Sequence, residues 1–273
     1  MKTAQFQLHA DIERRHWWFV ARRRIMSRLV AQLLPPSPQT LVVDVGCGTG
    51  ANIAALADRY NCVGIDSSAE AIELARSRFP QVRFLTGFAP DDLGEFATEA
   101  RLVLLMDVLE HVSDDFELLS RLLSATSPGC YFLLTVPADQ SLWSAHDESF
   151  GHYRRYDSKR LERVWAGLPV STLLLSYFNS RLLPLVKMIR TGTQRRGQAA
   201  GRAGTDFWMP NPLVNILLER IFAGERKKLL QMLRMQRSHG YSAGASLIAV
   251  LRREEGPMAV RTKPSDVAPD RRL

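Results

Sequence analysis

The amino-acid sequence predicts an α/β fold, a doubly wound sheet of seven mostly parallel strands with helices on both faces. Three observations predict it. Short apolar runs ending in Gly, Asp or Pro recur at 41–46, 61–66, 82–87, 101–107 and 130–137. Segments with helical periodicity separate them, which implies right-handed βαβ units. Two further apolar runs, at Val170–Ser176 and 246–253, complete the set of strands.

Residues 11–34, DIERRHWWFVARRRIMSRLVAQLL, place apolar residues at helical spacing and predict one helix, ended by Pro35, Pro36 and Pro38. Residues 1–38 are therefore read as an N-terminal helical cap. LVVDVG (41–46) is an apolar run stopped by glycines, the pattern of a buried strand. ANIAALADRY continues as a helix and NCVGID (61–66) is the second strand. SAEAIELARSRF is a helix that Ser67 or Ser68 can cap, followed by the strand VRFLTG (82–87). RLVLLMD (101–107) is the fourth strand, VSDDFELLSRLLSAT its helix, and CYFLLTVP (130–137) the fifth strand after a Ser127-Pro128-Gly129 turn. A helix from Ser158 to Ala166 and a strand at Val170–Ser176 end a core spanning 39–178. Residues 179–245 read as a helical insertion or lid, with a mobile loop at 191–205, TGTQRRGQAAGRAGT. SLIAVLRR (246–253) is the final core strand, and 254–273 a disordered tail.

The chain has 273 residues, 46% of them hydrophobic, which suits one large domain with additions. Cys47, Cys62 and Cys130 are odd in number and contain no CxxC pair, so reduced thiols are expected rather than disulfides or a zinc site. The opening MKTAQFQLHADIERRHWW lacks the apolar segment of a signal peptide, and no run of roughly 18 apolar residues exists. A cytoplasmic location is the expectation. The net charge of +8 is uneven: residues 1–180 carry 18 Lys and Arg against 21 Asp and Glu, whereas 181–273 carry 18 against 7. A basic C-terminal third favours local contact with phosphates, an anionic substrate or the inner face of a membrane. It argues against a nucleic-acid surface over the whole domain. Oligomeric state has no signal in the sequence.

The first strand ends in VVDVGCGTG, so Asp44 is followed by Gly46, Gly48 and Gly50. Glycines at a strand-to-helix turn let the backbone approach a ligand, with helix N–H groups facing it. The second strand ends at Asp66, beside that loop, where a carboxylate accepts hydrogen bonds from ribose hydroxyls. Gly46-x-Gly48-x-x-Ala51 also fits the loose dinucleotide pattern of a nicotinamide oxidoreductase, a weak match on its own.

DVGCGTG, GID, MDVLEHV and a following strand with VPA together resemble the class I S-adenosylmethionine-dependent methyltransferases. They are similar in particular to the bacterial small-molecule branch with an LEHV segment. The resemblance covers roughly residues 40–180. It implies a Rossmann-like sheet whose last strand is antiparallel, and S-adenosyl-L-methionine as cofactor. By the same resemblance, Asp44, Gly46, Gly48 and Gly50 surround the methionine part, Asp66 binds the ribose, and Leu105 and Met106 line the cofactor. Two departures bear on the adenine contacts: Phe88 stands where many relatives have an Asp, and Ala100-Arg101 where many have Phe-Asp.

Asp107, Glu110 and His111 gather where the fourth strand meets its helix, at the ligand-facing edge of such a sheet. Three uses stay open: hydrogen bonding at a helix N-terminus, His111 as the base for an acceptor hydroxyl, or hard-metal ligation with Asp114. No metal is assigned. HDESFGHYRRY (146–156) follows the fifth strand at the same edge, and relatives with the LEHV segment often carry a similar pattern, here Trp143, His146, Asp147, Gly151, His152, Arg155 and Tyr156. The expectation is an acceptor wall, with Trp143, Arg154, Arg155 and Tyr156 contacting the acceptor and His146 or His152 as alternative bases. A scaffold role and a metal site through His146, Asp147 and His152 stay open beside it. Trp17, packed in sequence with His16, Trp18 and Phe19, either anchors the first helix or caps the acceptor pocket.

The expected function is methyl transfer to a small-molecule or lipid-like acceptor, most readily at oxygen. Nucleic-acid methylation is the main alternative, but MDVLEH stands where an (N/D/S)PP(Y/F/W) segment would act on base amino groups. A non-catalytic cofactor-binding partner of another enzyme is the other alternative.

Overall fold

The computed structural model describes residues 3–235 and 240–258. The chain opens with two helices, α1 (Thr3–Ile12) and α2 (Trp17–Leu33), where the sequence predicted one. The break is at His16. Its backbone is extended and its Nδ1 accepts a hydrogen bond from the Trp18 N–H at 3.3 Å, so it caps α2 instead of continuing α1. α2 buries Phe19, Ile25, Met26, Leu29 and Val30 at helical spacing. Pro35 and Pro36 then separate α2 from β1 (Ser37–Val45), and Pro38 lies inside that strand.

The core alternates as expected: α3 (Ala51–Ala54), β2 (Tyr60–Asp66), α4 (Ala69–Arg78), β3 (Arg83–Thr86), α5 (Glu95–Glu99), β4 (Leu102–Met106), α6 (Asp115–Ala125) and β5 (Tyr131–Pro137). The helix expected over 51–60 lasts only to Ala54. Ser68 caps α4, accepting from the Ala71 N–H at 3.2 Å. Then come α7 (Ala145–Phe150), α8 (Ser158–Arg163), β6 (Val170–Phe178), α9 (Leu183–Arg196), α10 (Pro212–Ala223), α11 (Arg226–Met235) and β7 (Ser246–Arg253). The loop expected at 191–205 begins as helix, since α9 runs to Arg196. Of the expected tail, residues 259–273 lie outside the described residues.

The seven strands form one sheet in the order β3-β2-β1-β4-β5-β7-β6. β7 runs antiparallel to both β5 and β6, and the other pairings are parallel. Strand order reverses between β1 and β4, and an open α/β sheet binds ligands in the crevice beyond that point. β4 is buried at all five positions, as a central parallel strand must be. Its pleat divides them. Leu102, Leu104 and Met106 face the layer that holds α2, α10 and α11, whereas Val103 and Leu105 face the layer of α6 and α8.

Candidate active site

A cavity of about 400 Å³ opens at the carboxyl ends of β1, β4 and β5, and the N-terminal helices, α9 and α10 enclose it. One wall is the glycine loop: Gly46, Cys47, Gly48 and Thr49, with Met106 and Asp107 from the end of β4. Behind the loop, Asp66 accepts from the Gly48 N–H and the Ser68 N–H, each at 2.9 Å. A Cβ at Gly48 would meet nothing within 4 Å, so the backbone there is open to a ligand. Asp44 is fully buried beneath the loop, and neither carboxylate oxygen has a hydrogen-bond partner. Burial, reinforced by the Asp66 charge and only partly opposed by Arg22, pushes its pKa up to about 8. The N-terminal cap reaches this loop directly: Glu13 accepts from the Thr49 hydroxyl at 2.8 Å and pairs with Arg78. Asp44 and Asp66, expected to contact the cofactor, thus lie beneath and behind the loop and not on the cavity wall, which the backbone of Gly46 to Thr49 forms.

The opposite wall is aromatic. Five of the chain's six histidines, His9, His16, His111, His146 and His152, line the cavity with Trp17, Trp18, Phe19, Phe150 and Phe207. His9 lies within 5.2–5.6 Å of the Phe19, Phe150 and Phe207 rings, centroid to centroid. Burial lowers the pKa of His9 and of His16 to about 4. Burial and the neighbouring His152 take His111 to about 3, although a hydrogen bond to the Phe150 carbonyl opposes this. His146 is pulled well down by burial and then by Arg190. These four rings are neutral at physiological pH. His146 spends its Nδ1 lone pair on the Asp206 N–H, at 2.9 Å.

Asp147 organises the rest. It is fully buried and closes a capping box on α7, accepting from the Ser144 N–H at 3.0 Å. Its other oxygen accepts from Arg155 Nε at 2.9 Å and lies 3.0 Å from His152 Nδ1. Arg190 completes the set at 3.4 Å and also pairs with Asp206 at 3.0 Å. Burial alone would raise the Asp147 pKa. The His152 hydrogen bond and the two guanidiniums outweigh it and hold the carboxyl far below the usual range. Arg22 stacks over Trp18 at 4.3 Å and pairs with Asp107, which also accepts from the Thr135 hydroxyl at 2.9 Å. Glu110 is fully buried in the cavity wall and its two oxygens have no partner. Burial and the Asp107 charge raise its pKa well above the usual carboxylate value.

Of the residues expected at the site, Gly46, Gly48, Met106, His111, His146, His152, Arg155 and Trp17 meet at the cavity. Others do not. Gly50 packs against Phe84 and Ala75 under the loop, and Leu105 points to the far layer because successive strand residues alternate faces. Arg154 and Tyr156 were expected to contact the acceptor. Both are buried away from the cavity on Asp115, at 3.1 and 2.8 Å. Trp143 also lies off the wall, its Nε1 donating to Glu148 at 3.4 Å. Phe88 is 70% exposed and outside the cavity. Of the metal readings, Asp114 is occupied as the cap of α6 and Asp107 by Arg22 and Thr135. Among the described residues, Glu110, His111 and His152 do offer ligand atoms within 4.8 Å of one another. Sequence reasoning missed His9, Glu13, Arg190, Asp206 and Phe207. The spacing of His9, Glu13 and His16 by four and three was the one available signal, and the pairing of Arg190 with Asp147 had none.

A family model described as a methyltransferase domain matches residues 18–183. Trans-aconitate 2-methyltransferase from Deinococcus radiodurans is 34% identical over 125 residues, which cover 44% of this chain and 47% of that protein. The chain thus spans about half the length of the curated relatives it matches. Among solved structures, the plantazolicin methyltransferase BpumL in complex with SAH superposes with a TM-score of 0.55 at 15% identity, covering 92% of this chain and 90% of that one. A TehB-like SAM-dependent methyltransferase from Corynebacterium glutamicum gives 0.50 at 13% identity, covering 86% and 88%. At such identities the likeness is one of fold. With the family matched over more than half its length, on a sheet of this order and with a glycine loop at the reversal of strand order, the chain belongs to the methyltransferase domain family, as a class I S-adenosylmethionine-dependent member.

Proposed function

We propose that this protein transfers a methyl group from S-adenosylmethionine to a hydroxyl oxygen on a small, largely apolar acceptor, with His152 as the general base. The observation that carries this reading is the His152–Asp147 pair in the cavity wall. Asp147 is held ionised by two arginines and can only accept, so His152 must donate from Nδ1. In the tautomer that this bond fixes, the lone pair lies on Nε2, where a base must accept its proton. His146 has its Nδ1 lone pair occupied, and His111 is too weak a base at a pKa of about 3. When bound, the cofactor supplies a methyl group already activated by its sulfonium. The chain must align the acceptor, exclude water and take one proton.

The nature of the acceptor follows from the lining. Trp17, Trp18, Phe19, Phe150, Phe207, Leu185 and Ile189 supply apolar surface. The lining arginines, Arg22, Arg155 and Arg190, are each already paired with a carboxylate. Glu110 remains with both carboxyl oxygens unpartnered in the cavity wall, free to bond one polar group of the acceptor. Methyl-labelled cofactor, supplied to the purified protein with metabolite and lipid extracts, tests the reading by mass spectrometry of the products. An O-methylated apolar compound is expected. Label entering nucleic acid, with steep salt dependence, would replace it with nucleic-acid methylation. Tight cofactor binding with no transfer to any extract would leave a cofactor-binding partner of another enzyme.

A further inference from the structure

We propose that the outward face of α9 and α10 docks the protein on an anionic lipid surface beside the cavity. Each helix has two faces. Leu185, Val186 and Ile189 of α9 and Val214 and Leu218 of α10 line the cavity. On the outside of α10, Leu213 is 79% and Leu217 57% exposed, with Ile216 also exposed. Positions 213, 216, 217 and 220 form one helical stripe, apolar until it ends on exposed Arg220. Met188 is exposed on α9, and exposed Trp208 and Met209 lead into α10. Water-facing helices seldom present such a stripe without a partner.

Charge selects the partner. Residues 181–235 hold 11 Lys and Arg against 3 Asp and Glu. All three acids turn inward: Asp206 onto Arg190, Glu219 onto Arg24, and Glu225 onto the backbone N–H groups of Ser180 and Arg181. What remains outside is apolar and basic: Arg195, Arg196 and Arg220 are exposed, whereas Lys187 pairs with Asp139 at 3.2 Å. That combination fits acyl chains beneath anionic headgroups. It suits a second copy poorly, because an isologous contact would set like charges against each other. No described helix is long and apolar enough to cross a membrane, so the contact is peripheral. The same helices wall the cavity, which places the docked surface next to the route for an apolar acceptor.

Co-sedimentation with vesicles tests this, and needs neither methyl donor nor acceptor, so an inactive protein gives the same answer. Phosphatidylcholine vesicles with phosphatidylglycerol should bind the protein, less so at high salt, and pure phosphatidylcholine vesicles should bind it weakly. Leu213→Ser/Leu217→Ser and Arg195→Glu/Arg220→Glu should each weaken partitioning about tenfold. Phe88→Ser, on an exposed site elsewhere, should leave it unchanged. Equal partitioning of wild type and the Leu213→Ser/Leu217→Ser variant, or no binding to phosphatidylglycerol vesicles, would overturn the proposal. So would light scattering that shows a dimer dissolved by the leucine substitutions with vesicle binding unaltered. Retained S-adenosylhomocysteine binding confirms that the variants are folded.

Discussion

His152 and His146 share a cavity wall, but different nitrogens are spoken for. His152 gives Nδ1 to Asp147, and His146 receives the Asp206 N–H on Nδ1. His152→Ala should therefore lower kcat about 100-fold or more and leave S-adenosylhomocysteine affinity unchanged. His146→Ala should cost much less, and equal losses in the two variants would remove His152 from the role of base. The neutral histidines also set an acid limit on stability. His9 and His16 titrate near 4 and His111 near 3 when folded, below the ordinary histidine value that they regain on unfolding. The native state then binds fewer protons between those values. Stability is fully present above about pH 6.5 and is lost as pH falls towards 4, by about 1.4 kcal/mol per pH unit for each histidine. Asp44 and Glu110, raised by burial, act in the opposite sense, so a difference between variants is the clean readout. His9→Phe keeps the ring contacts and removes one such proton uptake. Its melting temperature should fall less steeply than wild type from pH 6.5 to pH 4.5, and parallel curves would refute the linkage.

At the level of elements, the glycine loop separates into a part that faces the ligand and a part that holds the fold. Gly48 and Gly50 both have positive φ, +53° and +87°. A Cβ at Gly50 would lie 2.7 Å from Phe84 Cζ and 3.0 Å from Ala75 Cβ, between β3 and α4. Gly50→Ala should thus cost about 1–3 kcal/mol in denaturant unfolding, from strain and overpacking together. A Cβ at Gly48 meets no protein atom within 4 Å. Gly48→Ala should cost only the left-handed backbone strain, about 1–2 kcal/mol with no overpacking, yet bind S-adenosylhomocysteine at least tenfold more weakly by calorimetry, about 1.4 kcal/mol or more. The reverse pattern would mean that the loop is merely structural. The first helix carries a related lesson. Periodicity over 11–34 was continuous, but His16 turned its ring back to the backbone and divided it. A side chain that can cap competes with one that continues, and local pattern alone does not rank them.

Across the whole molecule, the cavity is lined by charges that cancel. Arg22 meets Asp107 across 85 residues of chain, and Arg190 meets Asp147 across 43. A tricarboxylate acceptor such as trans-aconitate would have to draw an arginine from these pairs, and leaving the buried Asp147 uncompensated costs about 3–5 kcal/mol. Trans-aconitate should therefore raise S-adenosylhomocysteine release no higher than the acceptor-free rate, despite the name of the matched relatives. Saturable turnover on it would show that an arginine frees itself and would refute the apolar-acceptor reading.

The sheet, its seven strands and the glycine loop were legible in the sequence because each rests on short-range pattern: apolar runs, turn residues, and an acid at a strand's end. Asp66 was likewise readable, since strand-to-loop geometry brings it beside Gly48 whatever surrounds it. The acceptor wall was legible only as a cluster. Adjacent arginines in an extended segment point opposite ways, so Arg154 turned to Asp115 and Arg155 to Asp147. Likewise Met106 reached the cavity while Leu105 faced the other layer. The sequence by itself determined the fold and the glycine loop that opens on the cavity, because local periodicity and turn chemistry specify them. Only the tertiary structure decided which partner each histidine nitrogen meets and which arginine each carboxylate pairs with, because hydrogen-bond partners and burial are fixed by segments distant in the chain.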